Sequence, residues 1–414
     1  MIKKLFRLPF FAIVGPGLIA AAAGNDPGGI ATYSVAGAKY GFSLLWAMIP
    51  LTIGFMTVQE MAARLGAATG KGFSDLVREN FSLRATMFMM AVLFLGNCGI
   101  VVTQFVGIAA SMELFGISKY ITVPVAGVLI WWLIVKGTYP KIEKIFLLMS
   151  GILISYIITA LYVQPDWLTI GKNIISPVIP RDTQYITFLV AIIGTTIAPF
   201  MQIFAQSSVV EKGITMSDFK FARLDTFIGT IFANTVAVFI IITTASTLFP
   251  AGVVIETAAD AAQALVPFAG QFAQVLFAVG LLGASLLAAG VVPLTTSFAL
   301  SNAFGWESGV NRTFEEAPIF YAIFTFLIVF AATITLSPSV SLIRLLVGFQ
   351  IVNGVLLPIQ LYFMLKLAND KGVMGKYRNS LSSNIFAYGT AIFVSIAAIL
   401  FLGTAVLQQF GLLQ

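Results

Sequence analysis

Long apolar runs separated by short polar stretches dominate the chain, and each run is close to the roughly 20 residues that a helix needs to cross a bilayer. The pattern predicts eleven membrane spans joined by short loops. Their approximate bounds are Phe11 to Tyr40, Ser43 to Ala67, Thr86 to Glu113, Tyr120 to Val135, Ile145 to Val163, Tyr185 to Val210, Phe219 to Leu248, Phe268 to Phe304, Ile319 to Leu336, Val340 to Leu367 and Ile385 to Leu407.

Two of these runs are interrupted near their middle. Pro27 follows Asp26 in the first run and Pro199 follows Ala198 in the sixth. Proline removes a backbone donor and pushes the preceding residue out of the helical region, so both helices are expected to break there. Two independent kinks are the simpler explanation of either proline alone. Paired breaks in corresponding spans of two five-span halves instead indicate an inverted-repeat transporter with its site at mid-membrane.

Composition confirms the membrane class. Hydrophobic residues make up 59% of the 414 residues, charged residues only 10%, and mean hydropathy is +0.98. No polar segment is long enough for a separate soluble domain. We therefore expect one all-α transmembrane domain over residues 1–414, with a first repeat at about 11–163, a second at about 185–367 and an extra helix at about 385–407.

The positive charges predict an orientation. With a cytoplasmic N-terminus, eighteen of the 23 Lys and Arg residues fall inside and five outside, as the positive-inside rule requires. The C-terminus is then extracellular, and the protein is expected in the plasma membrane. Because the basic residues report orientation, the net charge of +6 gives no reason to expect a nucleic-acid partner. Only the bilayer and a small ion are expected as partners, with no obligate protein partner.

Asp26 is the principal candidate for chemistry, because an ionisable residue at mid-membrane is a functional hypothesis by default. No basic residue is predicted at its depth. Carbonyl ends of the half-helices before Asp26 and before Pro199 would add negative potential. The sequence therefore predicts a cation site rather than a structural ion pair or an anion site.

The groups around the breaks favour a hard, hydrated ion. Oxygen atoms come from Asp26 and from exposed backbone at Thr195, while Gly29 and Ala198 bring no side-chain ligand. Magnesium binds through one or two carboxylates and keeps several waters, and small residues would leave room for them.

Amides in two spans leave two interpretations open. Gln350 and Asn353 lie one helical turn apart in the tenth span and could offer oxygen to the ion or its waters, or form an interhelical hydrogen bond. Gln202 and Gln206 in the sixth span are expected to pack or to line a pathway.

The third span has Asn97, Thr103 and Gln104 as its main polar groups. Because the chain has no His, no proton carrier is evident.

The breaks carry a family resemblance. Asp26-Pro27-Gly28-Gly29 resembles the Asp-Pro-Gly-Asn motif of the first helix in NRAMP divalent-metal transporters. Ala198-Pro199-Phe200-Met201 resembles their Met-Pro-His-Asn motif in the sixth helix. QEMAARLGAATG at Gln59 to Gly70 is similar to the end of their second helix, and GLLGASLLAAG at Gly280 to Gly290 is a looser match in the eighth.

Departures from those motifs narrow the resemblance to one branch of the family. Gly29, Ala198 and Phe200 replace the family's Asn, Met and His, and its acidic third-helix residues are missing near Val101 and Gln104. This combination resembles the NRAMP-related magnesium transporters. The resemblance implies the LeuT-type five-plus-five inverted repeat of about eleven helices, a largely hydrated ion and no proton coupling. It assigns ion contact to Asp26, Gly29, the Thr195 carbonyl and the space at Ala198.

The sequence thus predicts an alternating-access transporter for uptake of Mg²⁺, and also Mn²⁺, which is not an enzyme, uses no cofactor and has the metal as its substrate. One alternative is a proton-coupled Mn²⁺ or Fe²⁺ carrier with atypical ligands. A sodium-coupled amino-acid carrier, an intramembrane aspartyl protease and a non-transporting receptor or scaffold are the others. Asp26 at the break argues against the amino-acid carrier, and a single mid-membrane acid argues against the protease, which needs two.

Overall fold

The structure is a computed structural model that describes residues 24–136, 154–180, 182–310, 312–337 and 342–410. These residues form fourteen main helices joined by loops, three short helices at Ala258–Ala262, Val266–Ala269 and Lys371–Met374, and short 3-10 turns. The main helices are α1 Pro27–Tyr40, α2 Leu45–Thr69, α3 Phe73–Asn80, α4 Leu83–Glu113, α5 Lys119–Lys136, α6 Ile154–Tyr162, α7 Trp167–Ile175, α8 Thr183–Thr196, α9 Pro199–Glu211, α10 Phe219–Thr247, α11 Ala273–Phe304, α12 Pro318–Leu336, α13 Leu342–Asn369 and α14 Leu381–Gln409.

Nine spans in the described ranges are long and apolar enough to cross a membrane, with α8 and α9 counted together. Helices α1 and α6 occupy the predicted first and fifth spans. The residues before Gly24 and those from 137 to 153, which complete these two spans, lie outside the described residues. The predicted order of spans is therefore confirmed wherever the chain is described.

Most span boundaries differ from the prediction by only a few residues, and two of the differences have a capping residue at the true start. Helix α4 begins at Leu83 because the Ser82 hydroxyl accepts a hydrogen bond from the Ala85 N–H. Helix α14 begins at Leu381 because Ser380 caps it through the Ser383 N–H. Hydroxyl capping satisfies a free donor at a helix start, which hydrophobicity alone does not reveal.

Helix α1 runs through the centre of the molecule and packs against α4, α8, α10 and α13. Glycines make these contacts close. A Cβ at Gly28 would overlap the Gln350 side chain, one at Gly37 would overlap Thr244, and one at Gly107 of α4 would overlap the Pro27 ring. Small residues allow helices in a membrane to approach within van der Waals contact of each other's backbones.

Helices α8 and α13 are joined in the same way. A Cβ at Gly194 would overlap the Gln350 carbonyl oxygen, and one at Gly354 would overlap the Val190 carbonyl oxygen. These two contacts hold the C-terminal end of α8 against the middle of α13. They bring the second helix break beside Gln350.

Large apolar side chains on the outer helices are exposed. Val125 and Trp132 on α5, Phe326 on α12 and Ile399 on α14 are each more than half exposed. Such surfaces are unfavourable in water and suit lipid. The molecule is a multi-span membrane protein, as its composition predicts.

Candidate cation site

Asp26 lies immediately before α1, in extended conformation with φ −71° and ψ 175°. Its Oδ1 accepts the Gly29 N–H at 2.7 Å, so the carboxylate caps the helix that Pro27 begins. The side chain is buried, with 2% of the residue exposed. Helix α1 therefore starts at Pro27 as predicted, while the half-helix predicted before Asp26 lies outside the described residues. The cap satisfies the Gly29 N–H, which has no partner within the helix.

Two glutamines also donate to this carboxylate. Gln104 Nε2 of α4 lies 2.6 Å from Asp26 Oδ2, and Gln350 Nε2 of α13 lies 3.4 Å from Asp26 Oδ1. Both donors are neutral. Within the described ranges no Lys or Arg forms an ion pair with Asp26. The buried carboxylate is therefore balanced by N–H dipoles alone, which leaves its negative charge available to a cation.

Oxygen atoms surround Gly29 closely. A Cβ built at Gly29 would lie 2.7 Å from Thr195 Oγ1, 2.9 Å from the Gly24 carbonyl oxygen and 3.4 Å from Asp26 Oδ1. Thr195 Oγ1 also lies 3.4 Å from the Gly24 carbonyl oxygen as its hydrogen-bond donor. A carboxylate, a hydroxyl and a backbone carbonyl thus converge at one point, and these are ligands that hard cations prefer.

This packing corrects one expectation. The sequence predicts that Gly29 leaves open room for water, whereas the structure is closed there. The reason is that a residue without a Cβ lets the neighbouring backbone and side chains approach until they fill the space. A hydrated ion can enter this point only if α1 and α8 move apart.

The second break lies between α8 and α9. Ala198 has extended φ −66° and ψ 138°, begins α9 without a side-chain cap, and is buried. Thr195 is in the last turn of α8, where the final carbonyls of a helix lack intrahelical partners. The predicted break at Pro199 is confirmed. The Thr195 hydroxyl, which the sequence analysis did not single out, is the Thr195 atom found beside Asp26 and Gly29.

Asn353 lies one layer farther from the carboxylate. Its Nδ2 is 3.4 Å from Gln350 Oε1, one turn along α13. Gln350 therefore contacts Asp26, and Asn353 orients Gln350. Both amides form hydrogen bonds here, and oxygen contact with an ion would require the Gln350 amide to rotate.

Three residues near the site were missed as site residues. Gln104 was named only as a polar residue of the third span, although its amide lies nearest to the free oxygen of Asp26. Asn25 donates to the Ala233 carbonyl of α10 at 2.7 Å, and the Tyr33 hydroxyl lies 2.9 Å from Thr196 Oγ1. A lone amide in an apolar span was the available signal for Gln104. The other two depend on which helices become neighbours.

Gln202 and Gln206 lie away from Asp26, on α9. Gln206 Nε2 donates to the Lys71 carbonyl at 2.9 Å, and Gln202 contacts the Gln360 amide at 3.1 Å. Both are buried. Their contacts agree with the packing role that the sequence predicts.

A buried acid at the start of α1, together with the break between α8 and α9, is the arrangement expected of a transporter with a cation site in the membrane. Comparison with known proteins supports this class. The model of the Natural resistance-associated macrophage protein-like (NRAMP) family matches residues 17–404, so the chain belongs to that family. It is a divalent metal transporter, not an enzyme, and the metal is its substrate.

Individual relatives agree in sequence and in fold. The chain is 28% identical over 316 residues to a divalent metal cation transporter MntH of Deinococcus radiodurans. The matched residues cover 72% of this chain and 70% of that protein. A manganese transporter of Eremococcus coleocola superposes with a TM-score of 0.79 at 20% identity, covering 97% of this chain and 88% of that one. MhsT in complex with L-phenylalanine superposes with a TM-score of 0.60 at 14% identity, covering 94% of this chain and 98% of that one. The fold is the predicted LeuT-type inverted repeat.

Proposed function

We propose that this protein takes up Mg²⁺, and also Mn²⁺, as largely hydrated ions by alternating access and without proton coupling. The observation that carries the proposal is the Asp26 carboxylate, which is buried among neutral donors with hard oxygen atoms converging beside it. Asp26, Gly29, Thr195, Ala198, Gln350 and Asn353 form the proposed ion-contact set, to which the geometry adds Gln104.

The donor set supports a hard ion. Asp26 supplies the charge, and Thr195 and Gly24 supply neutral oxygen. Among the residues that the structure describes, no three His, Cys, Asp or Glu side chains gather into a metal-binding group. Softer transition metals favour imidazole, thiolate or thioether ligands, whereas Mg²⁺ is satisfied by one carboxylate and its own waters.

The closed packing at Gly29 supports alternating access. Because Thr195 and Gly24 leave no room for a hydrated ion, such an ion requires a conformation in which α1 and α8 are farther apart. A ligand that fits only the open form shifts the population towards it.

The groups that contact the Asp26 carboxylate in the described residues support uncoupled transport. The chain has no His, and the side chain nearest to Asp26 Oδ2 is the amide of Gln104. A proton relay in a membrane requires a series of ionisable groups. Asp26 is instead surrounded by amides that cannot carry a proton at physiological pH.

The decisive experiment measures metal and proton movement together. Purified protein in liposomes, loaded with a magnesium indicator and a pH indicator, should admit Mg²⁺ with no change of internal pH beyond that of protein-free liposomes. Acidification that rises in proportion to the Mg²⁺ flux would refute uncoupled transport. The Asp26→Asn variant, which keeps the shape and loses the charge, should transport at least tenfold more slowly.

A proton-coupled manganese carrier remains the second candidate, because the relatives above are named as a divalent metal cation transporter and a manganese transporter. Competition separates the two candidates. If Mg²⁺ is a substrate, excess Mg²⁺ should inhibit Mn²⁺ uptake at concentrations near its own half-saturation. Inhibition only at a thousandfold excess would favour the second candidate.

Location and orientation follow from the charge pattern. We propose a plasma-membrane protein with a cytoplasmic N-terminus and an extracellular C-terminus. Labelling of single cysteines introduced at Ser82 and Gln164 with an impermeant reagent on intact cells tests this. Only the second should react from outside.

A further inference from the structure

A cavity of about 560 Å³ lies away from the cation site, where the C-terminal half of α2, the start of α10 and the start of α14 meet. Arg64 on α2 lies nineteen residues beyond the first residue of that helix, a length of about 28 Å at the helical rise of 1.5 Å per residue. The charged part of the cavity is therefore near one face of the membrane. The predicted orientation makes this the cytoplasmic face.

The polar wall of the cavity is positively charged. Arg64, Arg223 and Arg378 line it together with a single acid, Glu60. Glu60 is engaged with Arg64 at 3.2 Å and is 3.7 Å from Arg223. Two positive charges therefore remain in excess in a space bounded by three helices.

The three arginines differ in burial and in the number of their hydrogen-bond and ion-pair partners. Arg64 is buried and also donates to the Tyr377 carbonyl at 2.5 Å and to Asn379 Oδ1 at 2.7 Å. The Arg223 side chain is 56% exposed. In the part of the chain that the structure describes, the guanidinium of Arg378 has no hydrogen-bond or ion-pair partner, and Arg378 is exposed. Arg378 is thus free to bind an anion, Arg223 can do so beside its 3.7 Å ion pair with Glu60, and Arg64 fixes the linker that carries Arg378.

One part of the wall is apolar. Ile53 of α2 and Phe386 of α14 belong to it and are 42% and 50% exposed. Ser380, Ser382 and Ser383 add hydroxyls to the lining. The cavity therefore combines arginines and hydroxyls at the membrane surface with an apolar opening towards the hydrocarbon.

We propose that this cavity binds the phosphate group of an anionic phospholipid, with Arg223 and Arg378 on the phosphate and the acyl chains along Ile53 and Phe386. Arginine matches phosphate geometry through paired N–H donors, and basic pockets between membrane helices bind anionic headgroups. A free phosphate ion would satisfy the arginines but would not use the apolar wall. The bound lipid joins α2, α10 and α14.

Native mass spectrometry of the full-length protein in mild detergent tests the proposal with phosphatidylglycerol and phosphatidylcholine as probes. Wild-type protein should retain phosphatidylglycerol at least fivefold more than phosphatidylcholine. The double variant Arg223→Gln, Arg378→Gln should lose this preference, while Arg223→Lys, Arg378→Lys should keep at least half of it. Arg84→Gln, an exposed arginine at the start of α4 away from the cavity, is the matched control and should bind as the wild type does.

Thermal unfolding distinguishes the lipid from a free anion. Phosphatidylglycerol should raise the unfolding temperature of the wild type, and 10 mM inorganic phosphate in phosphatidylcholine should not. Ile53→Ser should weaken the lipid effect. Equal retention of both lipids, equal loss in the Arg84 control, or an equal temperature shift with inorganic phosphate would each overturn the proposal. Because none of these measurements depends on metal flux, they stand apart from the proposed transport function.

Discussion

At the scale of single residues, the Asp26 carboxylate serves two purposes that the sequence does not separate. It caps α1 through the Gly29 N–H and faces the Gln104 amide with its other oxygen. The cap alone would suffice as a structural role. Its burial, with no basic partner among the described residues, makes the second role worth testing, because an uncompensated charge in a membrane is costly to retain.

The proposed lack of proton coupling can be tested directly at Gln104. In the Gln104→Glu variant, the introduced carboxylate would replace the amide that lies 2.6 Å from Asp26 Oδ2, so two carboxylates would face each other. Like charges at that distance cannot both ionise, so the pair would hold a proton that an entering divalent ion must displace. Metal transport by the variant should slow as the pH falls from 8 to 6, while that of the wild type should change less than twofold.

The Gln104→Ala variant serves as the control for that experiment, because it loses the contact without adding an acid. Its transport should show no such pH dependence. A pH dependence equal in Gln104→Glu, Gln104→Ala and wild type would mean that the titrating group lies elsewhere.

Gly29 provides a packing test. Adding one methyl group in Gly29→Ala places a Cβ 2.7 Å from Thr195 Oγ1 and 2.9 Å from the Gly24 carbonyl oxygen. Overpacking of this kind costs about 1 to 3 kcal/mol. The unfolding temperature in detergent should fall accordingly.

A matched control exists in Gly389→Ala on α14, where an added Cβ meets no atom within 4 Å. Alanine is the better helix former by about 1 kcal/mol. That variant should be as stable as the wild type or more so. If both alanine variants behave alike, the close approach at Gly29 does not govern stability.

At the scale of helices, α1 and α8 are joined at the end of the bundle remote from the breaks. The Tyr40 hydroxyl donates to Asp182 Oδ2 at 2.8 Å, Lys39 donates to Gln184, and Asp182 caps α8 through the Gln184 N–H at 2.9 Å. The first two contacts join α1 to the start of α8, the two helices that are proposed to separate at the site, and the third caps α8 itself. The hydrogen bonds between the C-terminal end of α1 and the start of α8 therefore hold the two helices together there.

Asp182 makes that contact dependent on pH. The Gln184 N–H and then the Tyr40 hydroxyl lower the pKa of the Asp182 carboxyl below its ordinary value. A lowered pKa stabilises the folded protein above the ordinary value of about 4, and this contribution is lost as the pH falls through that value and below it. Wild type should therefore unfold at a higher temperature than Asp182→Asn at pH 7, and the difference should shrink towards pH 3.

Since Asp182 is only partly buried, the expected difference is small. Asp166→Asn, which removes an exposed helix-capping acid, is a suitable comparison because the hydrogen bonds of Asp166 among the described residues go to Leu168 and Thr169 of its own helix. A difference between wild type and Asp182→Asn that stays constant from pH 7 to pH 3 would contradict the assignment.

At the scale of the whole molecule, the fold supplies a path for a divalent ion across a membrane that carries a potential. Each elementary charge gains about 2.3 kcal/mol per 100 mV, so a doubly charged ion gains about 4.6 kcal/mol. This energy corresponds to an accumulation of about three orders of magnitude at equilibrium. Uncoupled uptake therefore needs no second ion.

Imposed voltage tests this directly. A potassium diffusion potential of about 100 mV, negative inside, should drive Mg²⁺ into proteoliposomes against its concentration gradient. Dissipating a pH gradient with a protonophore while the voltage is clamped should leave that accumulation unchanged. Accumulation that follows the pH gradient instead of the voltage would favour proton coupling.

The sequence by itself determined the class of fold, the start of α1 and the break between α8 and α9. Proline at 27 and 199 favours a helix start, and apolar length dictates the order of spans. Proline alone does not decide where a helix breaks, because helices continue through Pro50, Pro124, Pro293 and Pro358. The division into repeats at about 11–163 and 185–367 stays a prediction from that order. The sequence did not predict the helix start at Leu83, because a hydroxyl cap and not hydrophobicity defines it.

Only the tertiary structure decided what surrounds Asp26. Gln104 is 78 positions away and Gln350 is 324 positions away along the chain, and packing of α1 between α4 and α13 brings both to the carboxylate. The sequence identified the small residue at Gly29 and predicted open space. The structure shows closed oxygen packing, because removing a side chain creates room only until neighbouring helices move in to fill it.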